Sequence, residues 1–426
     1  MSKTKVACAV MCALAALFGP FKLQAQMPGA KLVQLAELTP SARAKADWFG
    51  ISIAVSGNTV VVGDFDLNIE SYGTVYVYVK PANGWQNMTQ VAQLSSSDNA
   101  VGFGTSVAIS GSTIVVGAAN ASNFDGRGLA PPSASPGAAY VFVEPPTGWT
   151  DTTESAKLSA SDGQPGDAFG NSVSISGNTI AVGALFAEDS AGNSFAGKAY
   201  VFERPEGGWG GKLNQTAELT ASDSQLLNHM GASIEVSGST VVAGAYGHNN
   251  FQGAAYVFSE PSGGWANMTQ TAELSASNGK SSDDFGFAAA ISDNTVVIGA
   301  PNVASKGAAY VFVEPADGWT NATQTAELHA VGEAAGASFG ESAGISGRVI
   351  VIGAPGTTVN GNLEQGAAYF FVEPSSGWTS SKGMELTASD GGANDTFGAS
   401  AAISGTTVVA GAPAGNAPGS AYVFGP

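Results

Sequence analysis

Gly340-Glu341-Ser342-Ala343-Gly344 has the G-x-S-x-G spacing of an esterase nucleophile elbow. That chemistry needs a strained strand-to-helix turn and a base beside the hydroxyl. Ser342, however, stands in register with Ser106, Ser172, Ser233 and Ser400, and no helical pattern follows it. A serine that recurs this way is expected to serve the repeat. His229, His248 and His329 are the other candidates for acid–base or metal chemistry. None has metal-ligand spacing on a helix. His229 and His248 fall in one unit, in loops expected on the same face; a two-His site is imaginable there, but isolated surface histidines are expected. Asp64, Asp66, Asn68 and Glu70 place oxygen ligands at every second residue, a spacing that suits Ca²⁺. That loop lacks a central glycine and has no equivalent elsewhere, so solvated polarity is expected, with no metal and no cofactor assigned.

The elements that carry these residues are set by repetition. Phe-Gly occurs at Phe49, Phe103, Phe169, Phe285, Phe339 and Phe397, with Met230-Gly231 filling the gap, so a mark recurs seven times. After each mark comes a Ser-Gly or Ser-Asp turn, then a β-branched run ending in Gly. A variable loop leads to Gly-Ala-Ala-Tyr-Val-Phe or a close relative, and a Gly-Trp pair opens a last segment such as Ala272-Glu273-Leu274. Each unit therefore reads as four short antiparallel strands. The second and third are apolar at consecutive positions, as in sheets buried on both faces. Sheets stacked face to face around an axis meet that demand, so the expected fold is all-β, a seven-bladed β-propeller. The seventh unit stops at Phe424 without a fourth strand, and Gln34-Leu35-Ala36-Glu37-Leu38 matches the missing one. The N-terminal strand, residues 31–38, is expected to close the ring and remove an exposed edge.

Phe-Gly followed by Gly-Ala-Pro (Gly299-Ala300-Pro301, Gly353-Ala354-Pro355, Gly411-Ala412-Pro413) resembles the FG-GAP repeat family, which includes the seven-bladed head of integrin α subunits and many secreted bacterial proteins. The resemblance runs from about Lys31 to Phe424. It implies a propeller, an extracellular setting and a role in adhesion or ligand binding. Calcium-binding members carry an Asp-x-Asp-x-Asp-Gly loop between the first two strands. Here that connection is a tight Ser-Gly turn, so the family's calcium sites do not carry over.

Asp47, Asp167, Asp283 and Asp395 stand two residues before the Phe of Phe-Gly. They are expected to accept backbone N–H bonds in the turn into the first strand rather than to form an acidic ring at the channel mouth. Six Gly-Trp tryptophans, Trp85, Trp149, Trp209, Trp265, Trp319 and Trp378, invite a sugar-stacking reading. Their fixed place in the repeat argues instead for wedges between sheets. Trp48 lies outside that series as a candidate surface aromatic. Asn87, Asn214, Asn267 and Asn321 begin glycosylation sequons that recur with the repeat, and Asn394 begins a fifth.

The chain of 426 residues holds 16 basic against 34 acidic side chains, a net charge of −18. Such a surface repels phosphates, which excludes nucleic acid as a partner. Lys3 and Lys5 precede an apolar run from Val6 to Phe18 and a small-residue site ending at Ala25. Residues 1–25 read as a secretory signal peptide, and residues 26–426 as one propeller domain. Both cysteines, Cys8 and Cys12, lie in the leader, so neither disulfides nor thiolate chemistry is expected of the mature chain. No later run is long enough to span a bilayer. A monomer secreted to the periplasm, the cell surface or the exterior is expected.

Variation concentrates in the loops between second and third strands, which share a face with the blade-to-blade connections. The longest runs from Ala118 to Pro136, followed by Leu185 to Ala196 and Tyr246 to Gln252, in three neighbouring blades. Asn123, Phe124, Asp125, Arg127, Phe186, Glu188, Asp189, Tyr246, His248 and Phe251 are the expected contact residues there, mixing aromatic platforms with polar groups. The expected function is non-enzymatic binding of an extracellular protein or polysaccharide. The alternatives are a polysaccharide lyase or hydrolase, which needs paired carboxylates across a cleft, and a structural matrix component.

Overall fold

The structure is a computed structural model that describes residues 31–42, 48–64, 72–119, 135–330, 332, 334–413 and 419–426. The leader lies outside the described residues. Leu32 to Pro426 form one compact unit.

Seven sheets follow one another along the chain, each a four-strand antiparallel meander. Blade 4 is representative, with strands Ile234–Ser237, Thr240–Ala245, Ala254–Ser259 and Ala272–Ser275. Its consecutive apolar residues point to opposite neighbours. Val241 and Ala243 pack with Ala199 and Val201 of blade 3, whereas Val242 packs with Ala289 and Ile298 of blade 5. Burial on both faces is thus the reason these strands do not alternate. Each repeat tryptophan is 5–8% exposed. Trp209 packs with Val115 and Val141 of the blade before it, Trp265 with Val201, and Trp319 with Val257, which places them as wedges between blades.

Closure follows the expected offset. Blade 7 combines Ser400–Ser404, Thr407–Ala412 and Ser420–Gly425 with the N-terminal strand Val33–Thr39. The last two pair antiparallel through Val33 with Gly425, Gln34 with Phe424 and Leu38 with Ala421. A ring of hydrogen bonds on the face of the first-to-second-strand turns repeats the closure. Each turn serine accepts a backbone N–H from the next blade, from Ser56 with Gly111 at 3.2 Å round to Ser404 with Gly57 at 3.0 Å.

The blades are wider than the four strands the repeat suggests. In six sheets a short strand from the following blade adds in parallel to the fourth strand, as Met268–Thr269 does beside Leu219 and Thr220. N-x-T-Q segments supply it in three of these sheets, at Met88–Thr89, Met268–Thr269 and Ala322–Thr323. Asn267 Oδ1 accepts the Glu218 N–H at 2.8 Å, and Gln270 accepts the Ser222 N–H at 2.9 Å while donating to the Ser222 hydroxyl. Three of these sequon asparagines, Asn87, Asn267 and Asn321, are clasps between blades.

The family glycines have a steric reason. A Cβ on Gly299 would overlap the carbonyl oxygen of Gly340, the glycine of the next Phe-Gly pair. Gly253 takes φ +87° and presses against Phe285 of the next blade in the same way, which holds each loop onto the start of the neighbouring blade.

Candidate ligand-binding face

Blade-to-blade hydrogen bonds place two kinds of loop on one face. His229 and Met230 at the entry to blade 4 donate their N–H groups to Phe195 and Ala196 of the blade 3 loop, each at 3.0 Å. Asp284 donates to Phe251 in the same relation one blade later, at 2.9 Å. The loops between second and third strands therefore rest on the next blade's entry.

An aromatic cluster occupies this face over blades 3 to 5. The rings of Phe186 and Phe195 meet edge to face at 5.4 Å, and His229 stacks on Tyr246 at 4.9 Å. Phe251 lies 6.2 Å from Tyr246, and Phe287 lies 5.8 Å from it. His229 is the buried centre, and burial lowers its pKa to about 4, so the ring is neutral at neutral pH. Phe195 and Phe287 remain 41% and 40% exposed. Exposed rings of this size, packed on the half-buried Phe186 and Tyr246 around buried His229, form a platform rather than scattered surface residues.

Of the residues expected at this face, Phe186, Tyr246 and Phe251 join the cluster. Glu188 is exposed in the blade 3 loop. Asp189 is committed to its own turn, accepting from the backbone N–H groups of Ala191 and Asn193 at 2.9 and 2.8 Å. His248 belongs to a different group, beside Asn228 and Tyr256. Asn123, Phe124, Asp125 and Arg127 lie outside the described residues, as do Asp66, Asn68 and Glu70; Asp64 is buried at the end of its strand. Phe195 and Phe287 are not among the expected contact residues, and His229, expected as an isolated surface histidine, is instead buried among the rings. Phe287 carries a signal, since other blades have Thr105, Asn171 or Ala232 at that position.

The remaining chemical motifs resolve into packing. Ser342 Oγ donates to the Gly398 carbonyl at 2.8 Å, the bond that Ser106, Ser172, Ser233 and Ser400 make in their own blades. Asp167, Asp283 and Asp395 each accept a backbone N–H from three residues earlier, at 2.6 to 2.7 Å. Asp47 lies outside the described residues. Trp48 is half-buried, and its carbonyl accepts the Ile51 N–H at 3.0 Å.

The axis holds a cavity of about 160 Å³ lined by first strands of all seven blades. One layer of it consists of Ala54, Ala108, Ser174, Glu235, Ala290, Gly344 and Ala402, so six small residues leave room for one carboxylate. Ser174 donates to Glu235 at 2.8 Å, and burial among the apolar walls pushes the Glu235 pKa up to about 7. An unfolded chain releases this proton near 4.5, whereas the folded chain keeps it to about 7. The group's favourable contribution is thus complete below 4.5 and is lost as pH rises to 7, by roughly 2–3 kcal/mol in total. Urea melts from pH 4.5 to 8 should show Glu235→Gln gaining on the parent as pH rises. A constant difference would mean that Glu235 titrates as in water.

No helix among the described residues is long and apolar enough to cross a membrane. No curated protein matches the chain as a relative. The FG-GAP repeat model matches seven consecutive segments, residues 32–78, 88–142, 152–202, 213–258, 268–312, 322–371 and 381–424, each of which carries the fourth strand of one blade and the first three strands of the next. The chain belongs to the FG-GAP repeat family.

Proposed function

We propose that the protein is a secreted, non-enzymatic binding propeller that takes an extracellular protein or polysaccharide on the aromatic platform of blades 3 to 5. The exposed Phe195 and Phe287 rings, set beside the stack of buried His229 on half-buried Tyr246, carry this reading. Flat aromatic faces fit either the apolar faces of sugar rings or a protein hot spot. The FG-GAP fold supports ligand binding in general, and the leader supports secretion, with cleavage after Ala25 as the expected processing.

A glycan and surface-protein array identifies the partner. Phe195→Ser with Phe287→Ser should then weaken binding by about tenfold or more, which is ~1.4 kcal/mol, without lowering the melting temperature. On the opposite face, Glu-Pro pairs at Glu144, Glu260, Glu314 and Glu373 open the turns that follow the third strands; retained binding in the double variant, together with loss on altering those turns, would move the site there.

A further inference from the structure

Blades 3 and 4 share a pair of carboxylates but fill the space between them differently. In blade 3 the Lys198 ammonium lies 2.7 Å from Asp162 and 2.9 Å from Glu218, and the Tyr200 hydroxyl donates to Asp162 at 3.1 Å. The same repeat positions in blade 4 are Asp223, Glu273 and Tyr256, but Ala254 replaces the lysine. His248, from the helical turn His248–Phe251 of the neighbouring loop, enters the gap instead. One ligand atom from each of Asp223, His248 and Glu273 lies within 4.8 Å of the others.

The groups around His248 fix which nitrogen is available. Asn228 is fully buried, and its Oδ1 lies 2.8 Å from Nδ1, so it accepts that N–H. The Tyr256 oxygen stands 3.2 Å from the same nitrogen, and its hydroxyl donates to Asp223 Oδ1 at 2.9 Å. With Nδ1 protonated, Nε2 carries the lone pair. It faces Asp223 Oδ2 at 3.7 Å, too far for a hydrogen bond and suited to a shared ion. An imidazole whose other nitrogen donates to a buried carbonyl is the usual support of a metal ligand.

We propose that Asp223, His248 and Glu273 bind a divalent first-row transition-metal ion such as Zn²⁺, with Asn228 and Tyr256 as the positioning residues. One nitrogen and two carboxylate oxygens favour such an ion over Ca²⁺, for which imidazole is a poor ligand. Bonds near 2.1 Å require ligand atoms about 3.3 Å apart, a modest contraction of the present group. Asp223 is exposed, which leaves the remaining positions open to solvent. Among the described residues no other blade repeats the set: Asn278 takes the aspartate position in blade 5, and Asp390 with Glu37 in blade 7 has Ser420 at the position of Lys198.

Zn²⁺ titration calorimetry on the purified full chain tests the proposal. One equivalent should bind, and His248→Gln should weaken it by at least about tenfold. Ala254→Lys, which imports the blade 3 ammonium, should abolish binding while the melting temperature without zinc stays at or above the parent's. Tyr256→Phe keeps the packing and should cost about tenfold. In NMR spectra the His248 Nε2 resonance should shift on adding zinc while Nδ1 keeps its proton. Absence of saturable binding up to about 1 mM zinc overturns the proposal. So does uptake unchanged in both His248→Gln and Ala254→Lys, or displacement by equimolar Ca²⁺.

Discussion

Deletion of Lys31 to Leu38 is expected to turn the protein into a mixture of oligomers with a lowered or absent cooperative melting transition. The segment supplies the outer strand of blade 7, and its Ala36 and Leu38 side chains are 1% and 0% exposed. Loss of a buried leucine alone costs about 2–5 kcal/mol. Gln34 also accepts the Ser389 N–H at 2.9 Å, so the deletion removes a clasp to blade 6. What remains is Ser420–Gly425 with one row of unpaired N–H and C=O groups, an edge that invites another chain. Size-exclusion chromatography and calorimetry read both consequences. Adding a peptide of residues 31–39 should restore part of the monomer peak. Unchanged elution and an unchanged melting temperature would show that the ring holds without its N-terminal strand.

The strands were legible because seven copies average out the accidents of any one. Thr240–Ala245 alone is a short apolar run that fits a strand or a buried helix turn; beside Thr295–Ala300 and Val349–Ala354 it can only be a strand buried on both faces. The added parallel strand was not legible. Met268–Thr269 is two residues long, its partner belongs to another blade, and its flanking Asn and Gln resembled a glycosylation signal rather than a clasp.

The aromatic cluster was legible where loops depart from the repeat, at Phe186, Tyr246 and Phe251. The place of His229 on that face was legible but its burial was not, because packing among rings from three segments has no sequence pattern. The reasoning that set recurring carboxylates aside succeeded for Asp167 and Asp283. It also passed over Asp223 and Glu273, whose surroundings differ from those of Asp162 and Glu218 in two ways, Ala254 standing where Lys198 stands and His248 filling the gap. The first change is the loss of a partner, which a repeat pattern shows only as another alanine, and the second comes from a loop outside the pattern.

Trp265→Ala should lower stability by about 3–5 kcal/mol, the range for a buried aromatic truncated to alanine. Trp265 is 5% exposed and packs with Ala199 and Val201 of blade 3 as well as Val241 and Tyr256 of its own blade. Neighbouring sheets cannot close over the lost volume without breaking the Gln270–Ser222 clasp beside it. Urea denaturation gives the difference directly. Trp378→Ala, 6% exposed and packed with Val311 and Ile350, should cost a similar amount two blades away. Equal losses at distant interfaces are the signature of a packing role, since a sugar platform would matter at one site and for one ligand. A cost below about 1 kcal/mol at Trp265, with binding lost, would place that indole on the ligand instead of between the sheets.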